Sequence, residues 1–194
     1  MDISQTEIET ERLRLRAWRE TDLRDFYSYA SIPGVGEMAG WKHHTSLEES
    51  RAALRLMISG KNIFAIVDKE SGRAIGSLGF HHSWADDDPQ YIDFLLTEIG
   101  YSLSNAYWGQ GLMVEAVKAV IDYCFNARAL EAVTCAHFIA NNRSKRVIEK
   151  CGFTYVKSGK YYARQLHAIY DDSKYIMFNP KKFRVDELIK VKEN

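Results

Sequence analysis

The residues with the most chemical content lie between Glu98 and Glu115. An apolar stretch ends in Glu98-Ile99-Gly100-Tyr101-Ser102-Leu103, and Trp108-Gly109-Gln110-Gly111 then leads into a periodic segment that starts at Leu112. A glycine turn opening onto a helix leaves several backbone N–H groups unpaired at the positive end of the helix dipole, and such a corner binds phosphate. Two familiar phosphate motifs fit poorly. A Walker A loop requires Gly-Lys followed by Ser or Thr, whereas Gly111 precedes Leu112-Met113. A dinucleotide fingerprint requires a third glycine where Val114 stands, and the preceding strands read as antiparallel, although Glu131 lies at a suitable spacing.

Two side chains could move protons. Glu98 shares a strand face with Phe94, Leu96 and Gly100, an apolar setting that raises a carboxylate's pKa toward neutrality and suits a general base. The bland alternative is a strand-edge carboxylate that points into solvent or pairs with an arginine. Ser144 falls on a helical stripe with Val147, Ile148 and Cys151, so its hydroxyl either faces inward or bonds its own backbone near the helix start. Arg143, Lys145 and Arg146 crowd that same helix start, where a phosphate or neighbouring carboxylates would offset their unfavourable position. The adjacent pairs His43-His44 and His81-His82 make poor chelates, and Cys124, Cys135 and Cys151 lack CxxC spacing, so no metal is expected. Trp41, His43 and Trp84 read equally well as shapers of a site or as packing. Asp86, Asp87 and Asp88 form either an attractor for amines or a solvated loop.

These groups must be held by regular elements. Residues 11–18 alternate, with Leu13, Leu15 and Ala17 inward and Arg12, Arg14 and Arg16 outward, as in a half-buried strand. Thr21-Asp22 caps a helix through Tyr29, and Ser46 with Glu49 makes a capping box for a second one ending near Gly60. Strands follow at 63–68 and 73–82, then one long strand over 91–103, then a helix with Met113, Val117, Val120, Ile121 and Cys124 on one face. A strand at 132–139, a short helix at 142–150 stopped by Gly152, and a hairpin of strands at 153–162 and 168–178 complete the chain. The sum is an α+β fold with a mixed, mostly antiparallel sheet of about seven strands and about four helices. Residues 1–180 read as one domain and 181–194 as a tail or short helix.

Composition narrows the class. The chain has 194 residues, 46% hydrophobic, with 26 Lys+Arg balancing 26 Asp+Glu. A nucleic-acid partner would require a basic surplus, which is missing. No apolar run reaches a membrane span, and the acidic opening Met1–Glu7 does not resemble a secretory leader, so neither a membrane nor export is expected. An odd set of three cysteines suits a reducing cytoplasm.

The ordered set Thr10-Glu11-Arg12-Leu13-Arg14-Leu15-Arg16, Glu98-Ile99-Gly100-Tyr101, Tyr107-Trp108-Gly109-Gln110-Gly111, Glu115-Ala116-Val117 and Asn141 through Phe153 resembles the GNAT N-acetyltransferases, in their RimJ/RimL-type branch. The resemblance implies a sheet whose central strands splay to admit acetyl-CoA as cosubstrate. It also implies transfer of acetyl to a primary amine, a protein N-terminal α-amine or a small molecule, by direct attack in a ternary complex. By the same resemblance the pyrophosphate rests on the backbone of Trp108, Gly109, Gln110, Gly111, Leu112, Met113 and Val114, with Met113 standing where the family often has a small residue. Tyr101, Ser102, Leu103 and the Asn141 side chain meet the pantetheine, Tyr101 and Ser102 N–H groups hold the oxyanion, and Arg143 and Arg146 contact phosphate. Glu98 is then the base. The usual tyrosine acid is replaced by Ile148, which leaves Ser144 or water to protonate the thiolate. A non-catalytic acyl-CoA-binding module is the competing expectation, and either a monomer or a homodimer fits.

Overall fold

The computed structural model describes residues 1–183. The expected tail at 181–194 therefore lies mostly outside the described residues. Eight strands form one sheet: β1 (Ile8–Glu9), β2 (Leu13–Ala17), β3 (Ile63–Asp68), β4 (Ala74–His81), β5 (Leu96–Leu103), β6 (Ala132–Phe138), β7 (Thr154–Ala163) and β8 (Ala168–Phe178). Their spatial order is β1-β2-β3-β4-β5-β6-β8-β7. Only the β5–β6 pair is parallel. The short β1, set against Leu15 and Arg14, raises the expected seven strands to eight.

Four α-helices cover the two faces: α1 (Leu23–Ala30), α2 (Leu47–Gly60), α3 (Leu112–Asn126) and α4 (Asn142–Cys151). β3 shows why both faces need cover. Its run Ile-Phe-Ala-Ile-Val sends Phe64 and Ile66 into a core with Val117 and Val120 of α3, and Ala65 and Val67 into a core with Phe26, Tyr29 and Leu54 of α1 and α2. Ser46 accepts from the Glu49 N–H at the start of α2, while the Glu49 carboxylate reaches back to Thr45. None of the helices among the described residues is long and apolar enough to cross a membrane.

Two expected elements differ. Arg16 is buried rather than outward, because its guanidinium makes a two-pronged pair with Asp22 at 2.7 and 2.8 Å, and that carboxylate also accepts from the Arg19 N–H. The long strand expected from residue 91 begins only at Leu96. Residues 91–94 fold into turns instead, with Tyr91 and Phe94 packed on Phe178, and the Leu95 N–H is taken by the Glu131 carboxylate.

Candidate active site

β5 and β6 share three rungs, Leu96–Ala132, Thr97–Val133 and Glu98–Thr134. Past Glu98 they part: β5 stays with β4 as far as Leu103, and β6 stays with β8 as far as Phe138. The fork leaves backbone groups of β5 facing a gap. Ser104 N–H donates to Ile75 at 2.8 Å, and alternation along an antiparallel ladder then turns Ser102 N–H to β4 as well, leaving Tyr101 and Leu103 N–H toward the gap. Of the two N–H groups expected to hold an oxyanion, Tyr101 is thus the available one.

On the helical side of the fork lies a cleft of about 290 Å³, lined by Tyr101, Ser102, Leu103, Trp108, Gly109, Gly111, Leu112, Met113, Val114, Asn141, Arg143, Ser144 and Arg146. Its floor is the start of α3. Gly109 and Gly111 take φ of 80° and 78°, which side chains resist, and Gly111 caps the helix with no side-chain bond, so the first N–H groups of α3 stay free. Arg12 and Glu115 hold this turn in place: Glu115 accepts from Thr10, from Arg12 N–H and from its guanidinium, which also bonds the Gln110 carbonyl at 3.0 Å. Gln110 itself is outside the cleft lining, its amide donating to Ala106. Met113 is buried in the α3 core while still bordering the cleft, so its bulk is absorbed by packing.

The start of α4 forms the opposite wall. Asn141 caps Ser144 N–H at 3.1 Å and donates to the Met38 carbonyl, tying the 36–40 loop to the fork. The Ser144 hydroxyl points inward and meets the Tyr101 hydroxyl at 2.9 Å, a partner that the sequence did not reveal. Burial drives the Tyr101 pKa well above its ordinary value. Arg143 lies over the Trp108 ring at 4.0 Å; Lys145 pairs with Glu149. Among the described residues Arg143 and Arg146 have no carboxylate partner within 4.0 Å, and both line the cleft, Arg143 resting on Trp108. Ile148 is fully buried. An N–H-rich floor with two nearby cations fits the phosphates of a coenzyme A.

The sheet's other face carries a second cleft of about 440 Å³, which shares Met38, Tyr101, Asn141 and Ser144 with the first. Strand register places Glu98, Gly100, His81, Thr134, Ala136, Phe138 and Asp172 on this face. Glu98 is partly buried, and desolvation pushes its pKa up to about 7, aided by the Asp172 charge and opposed by long 3.4 Å bonds from Trp84 N–H and the Thr134 hydroxyl. Gly100 makes room for His81, whose Nε2 would lie 3.0 Å from a Cβ at that position. Desolvation lowers the His81 pKa, favouring a neutral ring.

Other singled-out residues are occupied elsewhere. His43 pairs with Glu37 and His44 with Ser50, while Trp41 packs against His44. Asp86 and Asp87 meet His82, and Asp88 meets Lys157, so the acidic loop is internally paired. All three thiols are buried with raised pKa values, Cys151 to about 11 and Cys124 to about 12. No cluster of three or more His, Cys, Asp or Glu side chains suited to a metal occurs among the described residues.

Residues 12–154 match the family model "Acetyltransferase (GNAT) domain". The uncharacterized N-acetyltransferase YoaA of Bacillus subtilis is 26% identical over 180 residues, covering 90% of this chain and 98% of that protein. A GNAT-family acetyltransferase from Bacillus anthracis superposes with a TM-score of 0.77 at 21% identity, covering 90% of this chain and 99% of the other. A ribosomal-protein-S5-alanine acetyltransferase from Vibrio fischeri superposes at 0.67 with 25% identity, covering 90% and 97%. With a cleft suited to coenzyme A on one side of the fork and a raised carboxylate on the other, the chain belongs to the GNAT acetyltransferase family as an acetyl-CoA-dependent acyltransferase, with ribosomal-protein acetyltransferases of the RimJ/RimL type among its structural neighbours.

Proposed function

We propose that the protein acetylates a primary amine by direct attack within a ternary complex, residues 1–180 acting as one domain. The α3 N–H groups of Leu112, Met113 and Val114, with Arg143 and Arg146, hold the phosphates. The thioester lies in the fork, against Tyr101 and Leu103 N–H. The amine enters from the face that carries Glu98. Its nitrogen bonds to the carbonyl carbon while Glu98 takes the departing proton, and Tyr101 N–H holds the developing oxyanion. As the C–S bond breaks, the thiolate takes a proton from the Ser144 hydroxyl, which Tyr101 can resupply, or from water.

One observation carries this reading: a carboxylate whose pKa burial pushes up to about 7 lines the second cleft, which shares Tyr101, Asn141 and Ser144 with the first. A base is most effective when its pKa lies near the working pH. Thiol release from acetyl-CoA over a panel of amines tests the proposal, with Glu98→Gln as the control that should abolish most of the signal. Three buried, unbridged thiols support a reducing cytoplasm as the site of action.

A further inference from the structure

Acetyl transfer as described leaves one side chain on the amine-facing side without a task. Asp172 is 3% exposed and sits on β8 between Phe138 of β6 and Gly159 of β7, and it lines the same cleft as Glu98. Its Oδ1 is buried and has no hydrogen-bond partner among the described residues. A carboxylate oxygen left so is costly unless a ligand supplies the missing partner. Lys174 shares the face and its charge partly offsets that of Asp172, yet the two form no ion pair within 4.0 Å; Nζ and Oδ1 flank the space beside Gly159, 3.0 and 2.8 Å from where a Cβ would stand. Burial raises the Asp172 pKa, as expected of a carboxyl short of compensation.

The surroundings are built for a cation. Phe138 stacks on Tyr170 at 4.5 Å and lies 5.7 Å from Tyr161, and Phe138 and Tyr161 both line the cleft. Aromatic faces beside a carboxylate attract an ammonium from two sides. Gly159 leaves room for the carboxylate and for the Lys174 ammonium, since a Cβ there would fall 2.8 Å from Oδ1 and 3.0 Å from Nζ.

We propose that Asp172 anchors a second cationic nitrogen of the acceptor, so that the substrate class is a small α,ω-diamine with one nitrogen at Glu98 and an ammonium at Asp172, beside Phe138 and Tyr161. This rests on the acetyl-transfer reading above and narrows it. Asp172 lies level with Phe138, four residues along β6 from the Glu98–Thr134 rung, or roughly 13 Å of strand at about 3.3 Å per residue. Both carboxylates rise from the same face of the sheet, so a chain of several methylenes joins the two nitrogens. A monoamine of the same length fills the cleft but leaves Asp172 unpartnered, and a site that offers a buried polar group discriminates strongly against such an analogue.

Calorimetric titration of the full-length protein saturated with CoA tests this directly, with 1,6-diaminohexane compared with 1-aminohexane. The wild type is expected to bind the diamine at least about tenfold tighter. Asp172→Asn should bring the diamine down to the level of the monoamine while leaving monoamine affinity and the CoA-induced rise in Tm unchanged. Gly159→Ala, which crowds Oδ1 from the neighbouring strand, should weaken the same preference and serves if Asp172→Asn no longer responds to CoA. Equal affinity of the two amines for the wild type, or a preference that survives both substitutions, overturns the proposal. Failure of the acetyl-transfer reading has a different signature: diamine preference persists, yet neither amine releases thiol from acetyl-CoA.

Discussion

On one side of the β5–β6 fork the groups facing the cleft are the main-chain N–H groups at the start of one helix, Leu112 to Val114, with the Arg143 and Arg146 guanidiniums of a second helix beside them. On the other side they are side chains, Glu98, Phe138, Tyr161 and Asp172, brought together from four strands. The first cleft suits a cosubstrate common to a whole family. The second is lined by side chains, so single substitutions alter it readily, while Met38, Tyr101, Asn141 and Ser144 border both clefts. On the proposed reading, binding of the common substrate and choice of the variable one fall on opposite faces of one sheet.

The largest expected effect tests the side-chain face. Glu98→Gln should lower turnover by about 10²- to 10⁴-fold, measured as thiol release, with an unchanged CoA-induced rise in Tm. Wild-type activity should climb with pH through about 7 as Glu98 ionises. Turnover that ignores the substitution at every pH would remove Glu98 from the chemistry.

The same substitution should move stability in the opposite direction. Because the folded pKa of about 7 exceeds the ordinary 4.5, the native state holds the proton more tightly, and stability present below pH 4.5 is lost as pH rises through 7. Glu98→Gln escapes this loss. At pH 8 it should be more stable than wild type by up to about 3 kcal/mol, and at pH 4 about equal, by denaturant titration. A gain of equal size at both pH values would assign the effect to packing instead.

Main-chain changes should dominate on the helical face. Gly109→Ala places a side chain at φ 80° with nothing within 4 Å to clash, so its cost is conformational, about 1–2 kcal/mol, with about tenfold weaker CoA binding. Unaltered affinity would mean that the turn does not hold the phosphates. Ser144→Ala should slow turnover by about tenfold at most, since Tyr101 and water remain as proton donors. The smallest effect belongs to Gln110→Ala, within about 0.5 kcal/mol in stability and with CoA affinity preserved, because Arg12 engages the Gln110 carbonyl, which the substitution keeps, and the side chain loses only one exposed bond to the Ala106 carbonyl. A large loss there would blur the division between the two faces.

The same division explains what could be read from the sequence. The helical cleft was legible because its parts are contiguous: Tyr107 to Glu115 and Asn141 to Cys151 each carry their geometry in local glycines, caps and periodicity. The partnership of Tyr101 with Ser144 spans 43 positions and leaves no local mark. Asp172 was invisible for the same reason, since Tyr170-Asp171-Asp172-Ser173-Lys174 looks like any polar strand until β6 and β7 bury its middle residue. Arg16 was misjudged because alternation assigns a face without knowing that Asp22 waits there. The 91–95 stretch is apolar enough for a strand, but its aromatic residues prefer the pocket beside Phe178 and the strand starts late.

The three-rung joint between β5 and β6 also governs the order in which the molecule can be completed. Strands β1 to β5 are neighbours in chain order, with α1 and α2 spanning the antiparallel β2–β3 connection, and all five have emerged once Leu103 is made. The half-sheet β6-β8-β7 needs residues up to Phe178, and until it docks Glu98 lacks Thr134 above it and Asp172 nearby. During synthesis the prospective base would therefore be an ordinary, solvated carboxylate on an open edge strand, gaining its unusual proton affinity only when the last hairpin arrives.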